Sequence, residues 1–238
     1  MGSERCQPRM LRHLQQTAQH HRVGIILLAL LALGWTNAPV RELQLYKTYG
    51  ESAVIFDKTV HVAGITNGVG AFLKITVNQS AERAAKSGYS AQSIGSMRGR
   101  WLEWAVLVAL KQQGLTPAYW QAEFTAVPNA FNDVTLWSKE YGPAVLSCKA
   151  SLRERYKQAD LEAEALKHHY PKGKFFLVTL DADKKHVARV RQKITVREVI
   201  ALHAVYDETN ADELFAFLKT LTISEPEVGV LRSSVVLR

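Results

Sequence analysis

The stretch from Phe131 to Lys149 constrains the chain more than any other. Phe131–Trp137 and Ala144–Lys149 have the composition of strands, and Ser138-Lys-Glu-Tyr-Gly-Pro143 between them is a turn, so the two runs are expected to pair as a hairpin. A helix from Leu152 to about His168 follows, ended by Pro171 and Gly173, and then a strand over Phe175–Leu180. Further expected elements are strands at Ser52–Phe56, Thr59–Val62, Ala71–Val77 and His186–Val190, and helices at Trp101–Gln113, stopped by Gly114, and Ala211–Leu221. Residues 78–99 have the polarity of a loop with at most a short helix, and a polar tail ends the chain. The glycine-rich segment Gly64–Gly70 lacks the Lys-Ser/Thr of a P-loop and the spacing of a dinucleotide fingerprint, which leaves a turn. No internal repeat or low-complexity linker divides the 238 residues, so the expectation is an α/β single domain over 1–238, with a mixed central β-sheet flanked by helices on both faces.

Asp133 in one strand of the hairpin and Lys149 near the end of the next are a demanding pair. A carboxylate there can hold Mg²⁺, and a nearby ammonium can orient an attacking water and help to deprotonate it. Phosphodiester hydrolysis needs both. The charge agrees: 30 Lys+Arg against 22 Asp+Glu give a formal net charge of +8. Between Lys149 and Ile200 stand 13 Lys+Arg and seven Asp+Glu, which holds six of those eight positive charges. Such a concentration is the footprint of a phosphate-backbone binder, although a lysine-rich solvated surface has the same composition.

The hairpin resembles the PD-(D/E)XK nuclease core found in most type II restriction endonucleases. That pattern carries an Asp or Glu two residues before the lysine, where this chain has Ser147-Cys148-Lys149. The segment Lys149-Ala-Ser-Leu-Arg-Glu-Arg-Tyr-Lys-Gln-Ala-Asp-Leu-Glu162 is similar to one branch of these enzymes, which cuts CCGG, CCNGG and related sites. In that branch the second carboxylate has moved to the next helix, and Glu162 stands at the corresponding offset. The resemblance covers residues 131–180, about a fifth of the chain. It implies a restriction-endonuclease-like fold with its catalytic core in 95–200 and a Mg²⁺ site. Asp133, Glu162 and the backbone carbonyl of Cys148 would hold the metal, and Lys149 would position the water. Glu103, in the helix opened by Arg100-Trp-Leu-Glu103, would assist, with Glu123 a weaker candidate for that role.

The same branch places base-reading residues just after the lysine, here Arg153, Glu154 and Arg155. Arg can bond O6 and N7 of guanine and Glu can accept from cytosine N4, so the trio suits a G·C step of double-stranded DNA. An exposed helix start of mixed charge has the same appearance. Cutting both strands of a symmetric site needs two active sites, so a homodimer is implied. The expected function is that of a type II site-specific deoxyribonuclease. Its rivals are a repair or phage-defence nuclease of the same fold without palindromic specificity, and a non-catalytic DNA-binding module, suggested by Ser147. A membrane-anchored protein is the third.

That last rival rests on Val23–Trp35, a run of 13 uncharged residues. As a helix it would be roughly 20 Å long, short of a hydrocarbon core of about 30 Å. It is expected as a buried helix within a helical N-terminal segment, 1–40, and no membrane partner is expected. Cys6 and Cys148 are too few for a disulfide framework or a four-cysteine zinc site, which fits a reducing, cytoplasmic setting. The pairs His20-His21 and His168-His169 diverge around a helix and seldom share a metal. Trp101, Trp104, Trp120 and Trp137 are expected as core or dimer-surface residues.

Overall fold

The computed structural model describes residues 38–238 apart from 64 and 66, so Cys6, His20, His21 and the run Val23–Trp35 lie outside the described residues. Five helices come first: α1 (Ala38–Glu42), α2 (Leu45–Tyr49), α3 (Glu51–Ala63), α4 (Val69–Lys86) and α5 (Ala91–Gln112). Strands β1 (Ala118–Phe124), β2 (Val127–Ser138) and β3 (Gly142–Lys149) follow. Then come α6 (Arg155–His169), β4 (Lys174–Thr179), α7 (Lys184–Thr195), β5 (Ala204–Tyr206), α8 (Ala211–Leu218) and β6 (Leu231–Leu237). Pro39–Arg238 forms one compact unit. Among the described residues no helix is long and apolar enough to cross a membrane.

The hairpin forms as expected and anchors a six-stranded sheet in the order β5-β4-β3-β2-β1-β6. The β3–β4 and β4–β5 pairs are parallel and the other three antiparallel. Alternation along the strands sends Ala144, Leu146, Cys148, Phe176 and Val178 into one core, with residues of α3, α4, α5 and α8. Val145, Phe175 and Leu177 point the other way, into a core with α6 and α7. Helices therefore cover both faces of a mixed sheet.

Several local expectations are overturned. Ser52–Phe56, Thr59–Val62 and Ala71–Val77 are helical, within α3 and α4. Their β-branched residues favour strands locally, but Ala53, Phe56 and Val60, then Leu73, Val77, Ala81 and Ala84, recur at helical spacing and are buried. His186–Val190 is likewise inside α7: Val187 and Val190 bury one face, and the Asp183 carboxylate caps the helix by accepting the His186 N–H at 3.0 Å. Residues 78–99 are mostly helix, broken only between Lys86 and Ala91, where Ser90 caps α5. The expected polar tail carries the edge strand β6.

Candidate functional site

Strands β2 and β3 pair from Ser138–Gly142 to Val134–Leu146 and then part. Past that point the amide of Cys148 has no partner on the β2 edge, and the Asp133 carboxylate takes it: Oδ2 accepts the Cys148 N–H at 2.7 Å. Lys149 Nζ donates to the same oxygen at 2.9 Å, and the Ser147 hydroxyl lies 3.5 Å away. The Lys149 and Asp133 side chains are only 13% and 12% exposed, so their charges act through a medium far less polar than water. The Thr179 hydroxyl donates to the Lys149 carbonyl at 2.7 Å and secures the end of β3 to β4.

Asp133, Ser147 and Lys149 lie on the α6 side of the sheet, since Cys148 faces the opposite core. Helix α6 supplies Glu162, which lines a pocket of about 10 Å³ together with Asp133, Ser147, Asn132 and Ala163. That is room for about one water. Gln158, one turn earlier, donates to Glu162 Oε1 at 2.7 Å. Glu103 arrives from α5, which packs in the other core. Its Oε2 accepts from Trp120 Nε1 at 2.8 Å and Gln121 Nε2 at 2.9 Å.

The charges interact. Burial, reinforced by Asp133, pushes the Glu103 carboxyl up to about 7, and the Trp120 and Gln121 bonds and the Lys149 charge recover only part of the shift. Burial also raises Glu162, with Asp133 adding to it while Lys149 and Gln158 oppose. For Lys149 burial acts downward, but attraction to Asp133, their hydrogen bond and Glu162 outweigh it, so the ammonium is held more firmly than usual. Burial drives the Cys148 thiol far up, which makes it an apolar filler and no nucleophile. Lys149 thus contacts Asp133 directly, and Glu103 and Glu162 each feel the charges of both.

Among the described residues no three His, Cys, Asp or Glu side chains form a metal cage. The donors anticipated for Mg²⁺ are instead two carboxylates, Asp133 and Glu162, and the Cys148 carbonyl. In a strand the carbonyl projects to the same edge as the N–H, here the edge where Asp133 sits. An all-oxygen set beside uncompensated negative charge fits a hard divalent cation.

Arg153, Glu154 and Arg155 are all exposed at the start of α6, but only Arg155 is helical. Arg153 has φ 33°, outside the helical region, because Asp181 takes the Leu152 N–H at 2.7 Å and His186 Nε2 donates to the Arg153 carbonyl at 3.1 Å. Glu154 pairs with Lys157 at 2.6 Å. Among the described residues Arg153, Arg155, Lys185 and Arg189 have no carboxylate within salt-bridge distance, whereas Lys184, Arg191 and Lys193 are paired. Glu123 is occupied structurally: the Asn129 N–H at 2.8 Å and the Ser233 hydroxyl at 2.9 Å hold it between β2 and β6.

Sequence reasoning missed the polar roles of Trp120 and Gln121. The one available signal was Gln121 itself, an uncharged polar residue that follows the run Ala118-Tyr-Trp120 and precedes Ala122. Comparison with known protein families, curated proteins and solved structures finds no match.

Proposed function

We propose that the chain is a Mg²⁺-dependent, site-specific deoxyribonuclease acting on double-stranded DNA as a homodimer in the cytoplasm. The observation that carries this reading is the pairing of Lys149 with Asp133 at 2.9 Å inside a cluster that keeps two further carboxylates above their ordinary range. Asp133, Glu162 and the Cys148 carbonyl would hold the metal. When bound, Mg²⁺ polarises a phosphoryl oxygen and makes water a stronger acid.

The protein's own groups divide the remaining work. Lys149 stays protonated, so it orients the attacking water and offsets negative charge and does not act as the base. Glu103, near 7, can accept a proton at neutral pH, and Oε1 is the oxygen not already taken by Trp120 and Gln121. The exposed cations Arg153, Arg155, Lys185 and Arg189 suit phosphates, and Arg153 and Arg155 suit guanine edges, so the cleaved site is expected to contain adjacent G·C pairs. A nuclease of this fold without site specificity is the second reading, favoured by the engagement of Glu154 with Lys157.

A plasmid digest with Mg²⁺ and with EDTA tests the proposal. Discrete fragments that depend on Mg²⁺ are expected. A smear would support the second reading, and no cleavage at all would overturn both.

A further inference from the structure

The β1–β2 ladder pairs Trp120 with Val134 and Ala122 with Asn132, but skips the pair between them, Gln121 and Asp133. Against β6, strand β1 gains one residue between the Trp120–Val235 and Glu123–Ser233 pairs, which is a β-bulge. Gln121 has φ 49°, a left-handed conformation that a side chain other than glycine adopts under strain. Ala118 and Trp120 pack into the core under α5, whereas Phe124 falls into the opposite one.

Consecutive strand residues point to opposite faces. Trp120 and Gln121 do not: Nε1 of one and Nε2 of the other meet at a single oxygen, Glu103 Oε2. The left-handed turn at Gln121 is what permits this. A glycine would satisfy that backbone without strain, and the amide on Glu103 is what a glycine would lack.

We infer that Gln121 is a positioning residue, its left-handed backbone placing the side-chain amide on Glu103 and so fixing that carboxylate beside Asp133 and Lys149 for phosphodiester cleavage. The last clause rests on the nuclease reading; the placement of Glu103 does not. Strain of this kind gathers at functional sites, where surrounding structure holds it in place.

The test uses the full chain in three forms, wild type, Gln121→Gly and Glu103→Ala. The Trp120 indole N–H resonance reports its bond to Glu103 whether or not the protein cuts DNA. In Gln121→Gly that resonance is expected to move toward its Glu103→Ala position. Cleavage by Gln121→Gly should fall about tenfold to a hundredfold, with DNA affinity in Ca²⁺ kept within about twofold, and adding Glu103→Ala should cost little more. An unmoved Trp120 signal overturns the inference, as does full cleavage by Gln121→Gly when Glu103→Ala is impaired. A wild type that cuts no DNA while the signal still moves removes the nuclease reading and upholds the placement of Glu103.

Discussion

Two groups of buried acids show opposite electrostatics in one molecule. Asp207, just after β5, is 2% exposed, yet its Oδ1 accepts the Thr209 N–H at 2.9 Å and hydroxyl at 2.5 Å. Arg191 lies 3.3 Å from Oδ1 and Lys184 3.6 Å from Oδ2. Glu208 beside it pairs with Lys184 at 2.5 Å and Lys74 at 3.2 Å. Two acids share three cations, and although burial pushes both upward, hydrogen bonds and cations hold them below the usual carboxylate range. Near Asp133 and Lys149, Glu103 and Glu162 are driven the other way. Burial raises the acids of both groups; at Asp207 and Glu208 the hydrogen bonds from Thr209 and Lys184, with the neighbouring cations, outweigh it, and at Glu103 and Glu162 the opposing contacts do not. The first cluster is complete within the chain and ties α7 and α4 to the residues after β5. The second holds two carboxylates above their ordinary range beside a single lysine.

The largest effect separating the clusters is expected in catalysis. Glu162→Ala and Lys149→Ala should each lower DNA cleavage by about three orders of magnitude or more, with little further loss on combining them. Asp207→Asn should leave the rate per folded molecule unchanged. Retained cleavage in Glu162→Ala would remove the displaced carboxylate from the site, and Glu164, exposed on the far side of Gln158 and Glu162, offers no replacement. The swap Ser147→Glu/Glu162→Ala sharpens the point: recovered cleavage would show that the strand and helix positions serve one metal.

A smaller effect of opposite sign is expected in stability. Because Glu103 binds its proton more tightly folded than unfolded, its contribution is fully present below the ordinary value of 4.5 and is lost as pH rises toward about 7. Glu103→Gln should therefore raise stability by up to about 3 kcal/mol above pH 7 and scarcely at all below 4.5. Urea denaturation at several pH values measures this, and a variant destabilised at pH 8 would contradict the raised Glu103 value.

The smallest effect runs in reverse at the other cluster. Asp207 is held below its ordinary value of 3.8, so its contribution is present above that pH and is lost as pH falls through the lower folded value. Lys184 and Arg191 are 45% and 37% exposed, which screens their pull, so Asp207→Asn should cost about 1–2 kcal/mol at pH 7. The loss should vanish in strong acid. A loss that persists unchanged at low pH would assign Asp207 a packing role instead of an electrostatic one.

Asp133, Lys149 and Glu162 were legible because they sit within 30 residues, in a hairpin and the helix after it, where alternation and turn residues are local properties. The same local logic failed over 52–77 and 186–190, because β-branched residues carry a strand preference that packing of a helical apolar face overrides. Glu103 could be suspected from its helix, but Gln121 could not, since its role depends on a bulge in β1 set by pairing with β6. Local residue order specified the hairpin, the helix that follows it and the kinds of charged group the region would hold. That Glu103 and Glu162 share the field of Asp133 and Lys149 came from packing, because desolvation and Coulomb forces sum over whatever side chains the fold gathers, however far apart they stand in the chain.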